Sequence, residues 1–204
     1  MRTMLSGIPG RRLLVALLAL SLAACSAQPP ASGQRPTPTL PQFSTTPPKP
    51  RAERTLPDSC GKVLTRADLD QTLESTLTGR TEVVVGVALP SIGRTGRIDC
   101  YYGIPEGQPN AAAPLIVGLA GYTDAAKAGE RIQGTIDTER DKGTKPVEVA
   151  VGAGKGTLLD GADHTLIAAH GKITVAVTAK PTLVTAERAA EVLGKLADLA
   201  LTER

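Results

Sequence analysis

Between residues 65 and 201 the apolar positions recur with two distinct periods, and their order reads helix, three strands, helix, four strands, helix. Thr65, with Asp68 three residues on, is an N-cap signature, and Leu69, Leu73 and Leu77 follow at helical spacing up to Gly79. Val83, Val84, Val85 and Val87 form a β-branched run. Ile98, Cys100, Tyr102 and Ile104 alternate inward, which puts Cys100 on the core face, and Leu115 to Leu119 reads as a third strand. Asp124 to Lys142 is predicted to be a helix with Ala125, Ala128, Ile132 and Ile136 along one stripe and Gly143 as its stop. Val147, Val149 and Val151 then alternate with polar or small residues. Asp160-Gly161 and His170-Gly171 are turn signals between strands at Thr157–Leu159, Thr165–Ala169 and Lys172–Ala179. Thr185 to Leu201 closes the chain as an amphipathic helix with Ala189, Val192, Leu193, Leu196 and Leu199 inward.

This order predicts one α+β domain over residues 58–204, an antiparallel sheet packed between or against about three helices. Its core is built from Val, Leu, Ile and Ala: the chain has no Trp, its one Phe is Phe43, and its tyrosines are Tyr101, Tyr102 and Tyr122.

The N-terminal pattern is of another kind. Arg2, Arg11 and Arg12 precede an apolar run from Leu13 to Ala24 broken only by Ser21, too short to span a bilayer and therefore read as an export signal. Leu22-Ala23-Ala24-Cys25 resembles the lipobox of bacterial prolipoproteins. The resemblance implies a signal peptide over 1–24, cleavage before Cys25, and diacylglycerol on its thiol with further acylation (palmitate). The acyl chains on Cys25 would then hold the protein to the membrane, on its extracytoplasmic face.

From Ser26 to Pro57 nine prolines are mixed with Thr, Ser and Gln, so 25–57 is expected to be a lipidated cysteine and a semi-rigid tether. At about 3.1 Å per residue it reaches on the order of 90 Å. The charge divides at the same place. Residues 1–57 carry seven Lys/Arg and one Asp/Glu, whereas 58–204 carry sixteen and nineteen. The basic excess therefore belongs to the signal and tether, where it suits an anionic membrane surface. The domain has no basic run interleaved with aromatics, so no nucleic-acid partner is expected.

With Cys25 lipidated, Cys60 and Cys100 remain, and in an oxidising compartment they are most simply a disulfide. A reactive thiol pair is the competing reading, though it lacks a C-x-x-C spacing. Several pieces together resemble the small, largely uncharacterised envelope lipoproteins of actinobacteria. They are the Pro/Thr-rich tether, Cys60-Gly61-Lys62-Val63-Leu64-Thr65, Cys100-Tyr101-Tyr102, Val151-Gly152-Ala153-Gly154-Lys155-Gly156, and the terminal Ala/Leu-rich helix. Such proteins often place Trp shortly after the second cysteine, where Tyr101 and Tyr102 stand here. Domains of this sort are similar to the PsbP-like fold, a sheet sandwiched between helices. The resemblance implies secretion and anchoring, and no established activity.

Candidate chemistry is sparse. The glycine-rich segment at 151–157 fails the Walker pattern, because Val149 stands where the first glycine is needed and Gly156 follows the lysine, so no nucleotide is expected. Asp160, Asp163, His164 and His170 are weak candidate metal ligands beside a turn; solvated turn and strand-end residues are the plainer reading. Ser59, Ser75 and Ser91 lie outside any G-x-S-x-G elbow. Arg80, Arg94 and Arg97 fall near the loop between two early strands, where they suit an anion or envelope-polymer contact or serve as solvated charges. Tyr101 and Tyr122 are read as core filler or groove lining. The expectation is a non-enzymatic binding or accessory module of the cell envelope, with an envelope protein or polymer as partner and no cofactor. The alternatives are a carrier or sensor of a lipid or small apolar ligand held between sheet and helix, and a hydrolase or metalloenzyme.

Overall fold

The computed structural model describes residues 52–203, so the expected signal peptide, Cys25 and most of the tether lie outside the described residues. Among the described residues the seven expected strands are joined by one helix more than expected and by two short 3₁₀ turns. The order is α1 (Cys60–Val63), α2 (Arg66–Leu73), β1 (Arg80–Gly86), β2 (Arg94–Ile104), β3 (Leu115–Tyr122), α3 (Ala125–Asp141), β4 (Pro146–Val151), β5 (Gly154–Asp160), β6 (His164–His170), β7 (Ile173–Ala179) and α4 (Ala186–Leu201), with short 3₁₀ turns at Pro90–Ile92 and Asn110–Ala112. Four helices thus replace the expected three, because Cys60–Val63 closes a separate single turn ahead of the Thr65 cap. That cap is a capping box: Thr65 Oγ1 accepts from the Asp68 N–H, and the Asp68 carboxylate accepts from the Thr65 N–H at 2.7 Å.

α2 also ends earlier than the leucine spacing implies. Glu74 adopts the left-handed conformation (φ 56°), and the Ser, Thr and Gly that follow are poor helix formers. Leu77 is buried all the same, outside the helix, where it lies over Gly103. Ser75 accordingly sits beyond the helix rather than in it.

All seven strands join one antiparallel sheet in the order β1-β2-β3-β7-β6-β5-β4. Two meanders, β1–β3 and β4–β7, meet where β3 pairs with β7. α3 connects β3, in the middle of the sheet, to β4 at its far edge, so it has to cross one face and touches β3, β7, β6, β5 and β4 on the way. α4 leaves β7 and packs with α2 on the opposite face, against β4, β6 and β7.

The two faces differ in residue size. Val117, Leu119, Val175 and Val177 point from β3 and β7 into the core beneath α4, with Leu193 and Leu196 fully buried above them. Burying a leucine of this kind stabilises the fold by about 1.5–3 kcal/mol. Leu199, expected inward, is only partly buried, and Ala197 and Ala200 take the interior positions where α4 approaches the sheet closely. On the other face the same strands present Gly118, Ala120, Thr174 and Ala176.

Cys60 and Cys100 form a disulfide, with their Cα atoms 5.5 Å apart and both residues buried. It joins α1 to β2, and Tyr102 donates its hydroxyl to the Cys60 carbonyl at 2.9 Å. The chain ahead of residue 58, expected to belong to the tether, is already docked at Glu53, Arg54 and Leu56. The buried Arg54 guanidinium donates to the carbonyls of Ala200 and Thr202 at the end of α4 and of Lys62 at the end of α1. Glu53 accepts the Lys172 N–H at 2.8 Å, and Leu56 lies against Gly96 and Gly121. Among the described residues no helix is long and apolar enough to cross a membrane.

Candidate functional site

The small residues of the outer face decide where the chain leaves space. Two rungs run across the sheet, Arg97–Ala120–Thr174–Ala169 and Asp99–Gly118–Ala176–Ile167. Their central positions carry no side chain larger than threonine. α3 spans this floor but is weakly embedded: Ala128 is its one buried residue, Ile132 and Ile136 are half-buried, and Ala125 of the expected stripe is exposed. The result is a groove of about 200 Å³ between helix and sheet.

Its charged groups come from two elements. Arg94 and Arg97 stand at the start of β2, and Arg131 comes down from α3. Asp99 is buried, and its carboxylate lies 2.7 Å from Arg97 Nε. Gly118 permits this placement, since a Cβ there would come within 2.6 Å of Asp99 Oδ1. Arg94 reaches the Val87 carbonyl with one terminal nitrogen, while its Nε is buried with no hydrogen-bond partner. The Arg131 guanidinium makes no ion pair or hydrogen bond among the described residues. Three arginines facing one carboxylate leave a formal surplus of two positive charges. Tyr122 lines the same groove and is buried, while Tyr101 is half-buried outside it.

Arg80, grouped by the sequence with Arg94 and Arg97, is elsewhere. It opens β1 opposite Ile104, whereas Arg97 pairs with Gly86 at the other end of that strand. There it bonds Glu82 at 2.9 Å and the Gln108 carbonyl at 2.6 Å. Arg131 has no local signal in the sequence. The usable clue is the run of small outward residues on β3 and β7, which cannot fill the space under a crossing helix.

The Asp/His turn is only partly assembled. His164 Nδ1 lies 2.6 Å from Asp160 Oδ1 across the β5–β6 hairpin, and its Nε2 is buried with no partner. His170 is at the opposite end of β6, about 20 Å away at a strand rise of about 3.4 Å per residue. Among the described residues no three His, Cys, Asp or Glu side chains are placed to hold a metal. The 151–157 segment is a hairpin: Val151 pairs with Gly154, and Gly152 takes the positive φ of the turn (57°). Ser59, Ser75 and Ser91 sit at the α1 N-cap, in the turn after α2 and in the 3₁₀ turn at 90–92.

A second cavity, of about 260 Å³, lies where the β4–β5 hairpin meets the end of α4. It is lined by Val151, Ala168 and Leu201 with Lys155 and His170.

No protein-family model matches the chain, and no curated protein matches it significantly. Among solved structures, the extracellular domain of PknH from Mycobacterium tuberculosis is similar over 66% of this chain and 90% of that one, at 14% sequence identity and a TM-score of 0.40.

Proposed function

We propose that the protein is a lipid-anchored, extracytoplasmic binding module of the cell envelope, without enzymatic activity, and that it engages its partner through the groove beneath α3. The groove carries this reading, because it holds charged donors with no partner among the described residues: the buried Arg94 Nε and the solvent-exposed Arg131 guanidinium. A group left in that state is ready to bond a ligand. The planar fork of an arginine suits it to holding an anionic group. The disulfide supports an oxidising compartment, and the lipobox around Cys25 supports the anchor. Helices on both sheet faces support the PsbP-like arrangement.

Photo-crosslinking in the host tests this. A crosslinker replacing Thr135, in the groove, should recover a reproducible envelope protein or polymer adduct, and one replacing the exposed Glu106 should not. Equal or absent adducts from both positions would sink the reading.

A second reading, a carrier of a small apolar ligand, is favoured by the cavity at the end of α4 rather than by the tightly packed sheet beneath that helix. Native mass spectrometry of the detergent-solubilised protein distinguishes it, because a carrier releases a co-purified ligand of defined mass.

A further inference from the structure

We propose that the groove beneath α3 recognises a phosphate monoester, held between Arg94 and Arg131; this rests on the binding-module reading and names the chemistry of its ligand. Three properties of the site lead to that chemistry.

The first is charge. The surplus of two positive charges matches the −1.5 to −2 carried by a phosphate monoester near pH 7. A lone carboxylate would neutralise half of it.

The second is donor geometry. A guanidinium presents five N–H donors in a planar fork suited to phosphate oxygens. Arg131 spends none of its donors inside the described protein, and Arg94 Nε is buried and unspent. Arg97 is different: its Nε is committed to Asp99, which fixes that side chain beside the groove and keeps its remaining nitrogens in place. Asp99 is thereby a positioning residue, held over Gly118.

The third is the floor. Ala120, Ala176 and Ile167 from the sheet, with Ile132 from α3, give the groove an apolar side next to its arginines. Thr174 is buried on the same floor. This suits a ligand whose phosphate is joined to a small neutral body such as a glycerol or a sugar ring. A sugar phosphate monoester on an envelope polymer and the headgroup of phosphatidic acid both present that chemistry.

The test uses the full chain in detergent, titrated with glycerol 3-phosphate, with glycerol as the neutral control, and separately with phosphatidylcholine vesicles with and without phosphatidic acid. Glycerol 3-phosphate should bind saturably and glycerol should not. Arg131→Gln should weaken binding about tenfold or more, Arg131→Lys should restore part of it, and Lys142→Gln beyond the end of α3 should leave it unchanged. The Arg131 guanidinium makes no bond among the described residues, so variants of the side chain should melt with the parent protein; the loss then reports the site and not the fold. Binding to phosphatidic acid vesicles alone, lost in Arg131→Gln, supports the site and assigns a lipid headgroup as the source. Binding to glycerol 3-phosphate with no added vesicle effect supports it and assigns a soluble or polymer-borne ester. Absence of binding in both arms, or equal binding by Arg131→Gln, overturns the phosphate assignment. If the Thr135 crosslinker still captures an envelope partner in that case, the binding module stands and only its ligand class is wrong.

Discussion

Gly194 of α4 lies so close to β4 that a Cβ added to it would come within 2.7 Å of the Ala150 carbonyl oxygen. The contact is with backbone, which has no side-chain rotamer through which to yield. Gly194→Ala therefore has two opposed effects. It gains about 1 kcal/mol of helix propensity and loses roughly 1–3 kcal/mol to overpacking. The expected outcome is net destabilisation, read as a lower denaturant midpoint with an unchanged slope. A raised midpoint would show that α4 does not approach β4 this closely.

The glycines of α3 behave in the opposite way. Gly129 and Gly134 lie within the helix, and a Cβ at either meets nothing within 4 Å. Replacing each by alanine should stabilise the protein by about 0.5–1 kcal/mol, because the unfolded chain loses freedom and no contact is disturbed. Thermal melts of the single and double variants check this, and additive increases are expected.

Reduction of the Cys60–Cys100 bond should be slow in the folded protein, since both residues are buried. Once it is broken, or in the double variant Cys60→Ala/Cys100→Ala, loop closure over the intervening chain no longer constrains the unfolded state. The expected loss is about 4 kcal/mol. Urea denaturation with and without reductant measures it, and a variant as stable as the parent would remove the bond's structural role.

Arg54 ties the start of the described chain to the ends of two helices. Arg54→Ala removes a charged donor from the carbonyls of Ala200, Thr202 and Lys62 together. Leaving the buried Ala200 carbonyl and two part-buried carbonyls unbonded should cost roughly 2 kcal/mol. Amide exchange should rise first in the last turn of α4, ahead of the sheet, if these bonds hold that turn in place.

Asp124 caps α3 by accepting the Lys127 N–H at 2.8 Å, and this hydrogen bond, followed by weaker help from Thr123, Ala126 and the Lys127 charge, holds its carboxyl below the usual range. A depressed folded pKa means the stabilisation is present above the unfolded value of about 3.9 and is lost as pH falls through the lower folded value. Asp124→Asn keeps a capping oxygen that does not titrate. Its helical signal should fall less steeply than the parent's as the pH drops below the unfolded carboxylate value. Identical acid profiles would contradict the cap.

The sequence by itself determined the seven strands and the two long helices, because each rests on local periodicity and punctuation. Residues 98–104 alternate, so Ile98, Cys100 and Tyr102 face the core, and the two long helices begin after Asp124 and Thr185, as the pattern implies, although only Asp124 bonds a backbone N–H with its side chain. The early stop of α2 was hidden, since Leu77 keeps the helical spacing but is buried by a tertiary contact with Gly103. Only the tertiary structure decided the strand order and with it the site. The joining of β3 to β7 forces α3 across a face made of Gly118, Ala120, Thr174 and Ala176, and that crossing brings Arg131 to Arg94 and Arg97 while leaving Arg80 at the far end of β1. Hydrophobic spacing records which face of an element is buried. It does not record which distant element lies over that face, and the groove exists because of that pairing.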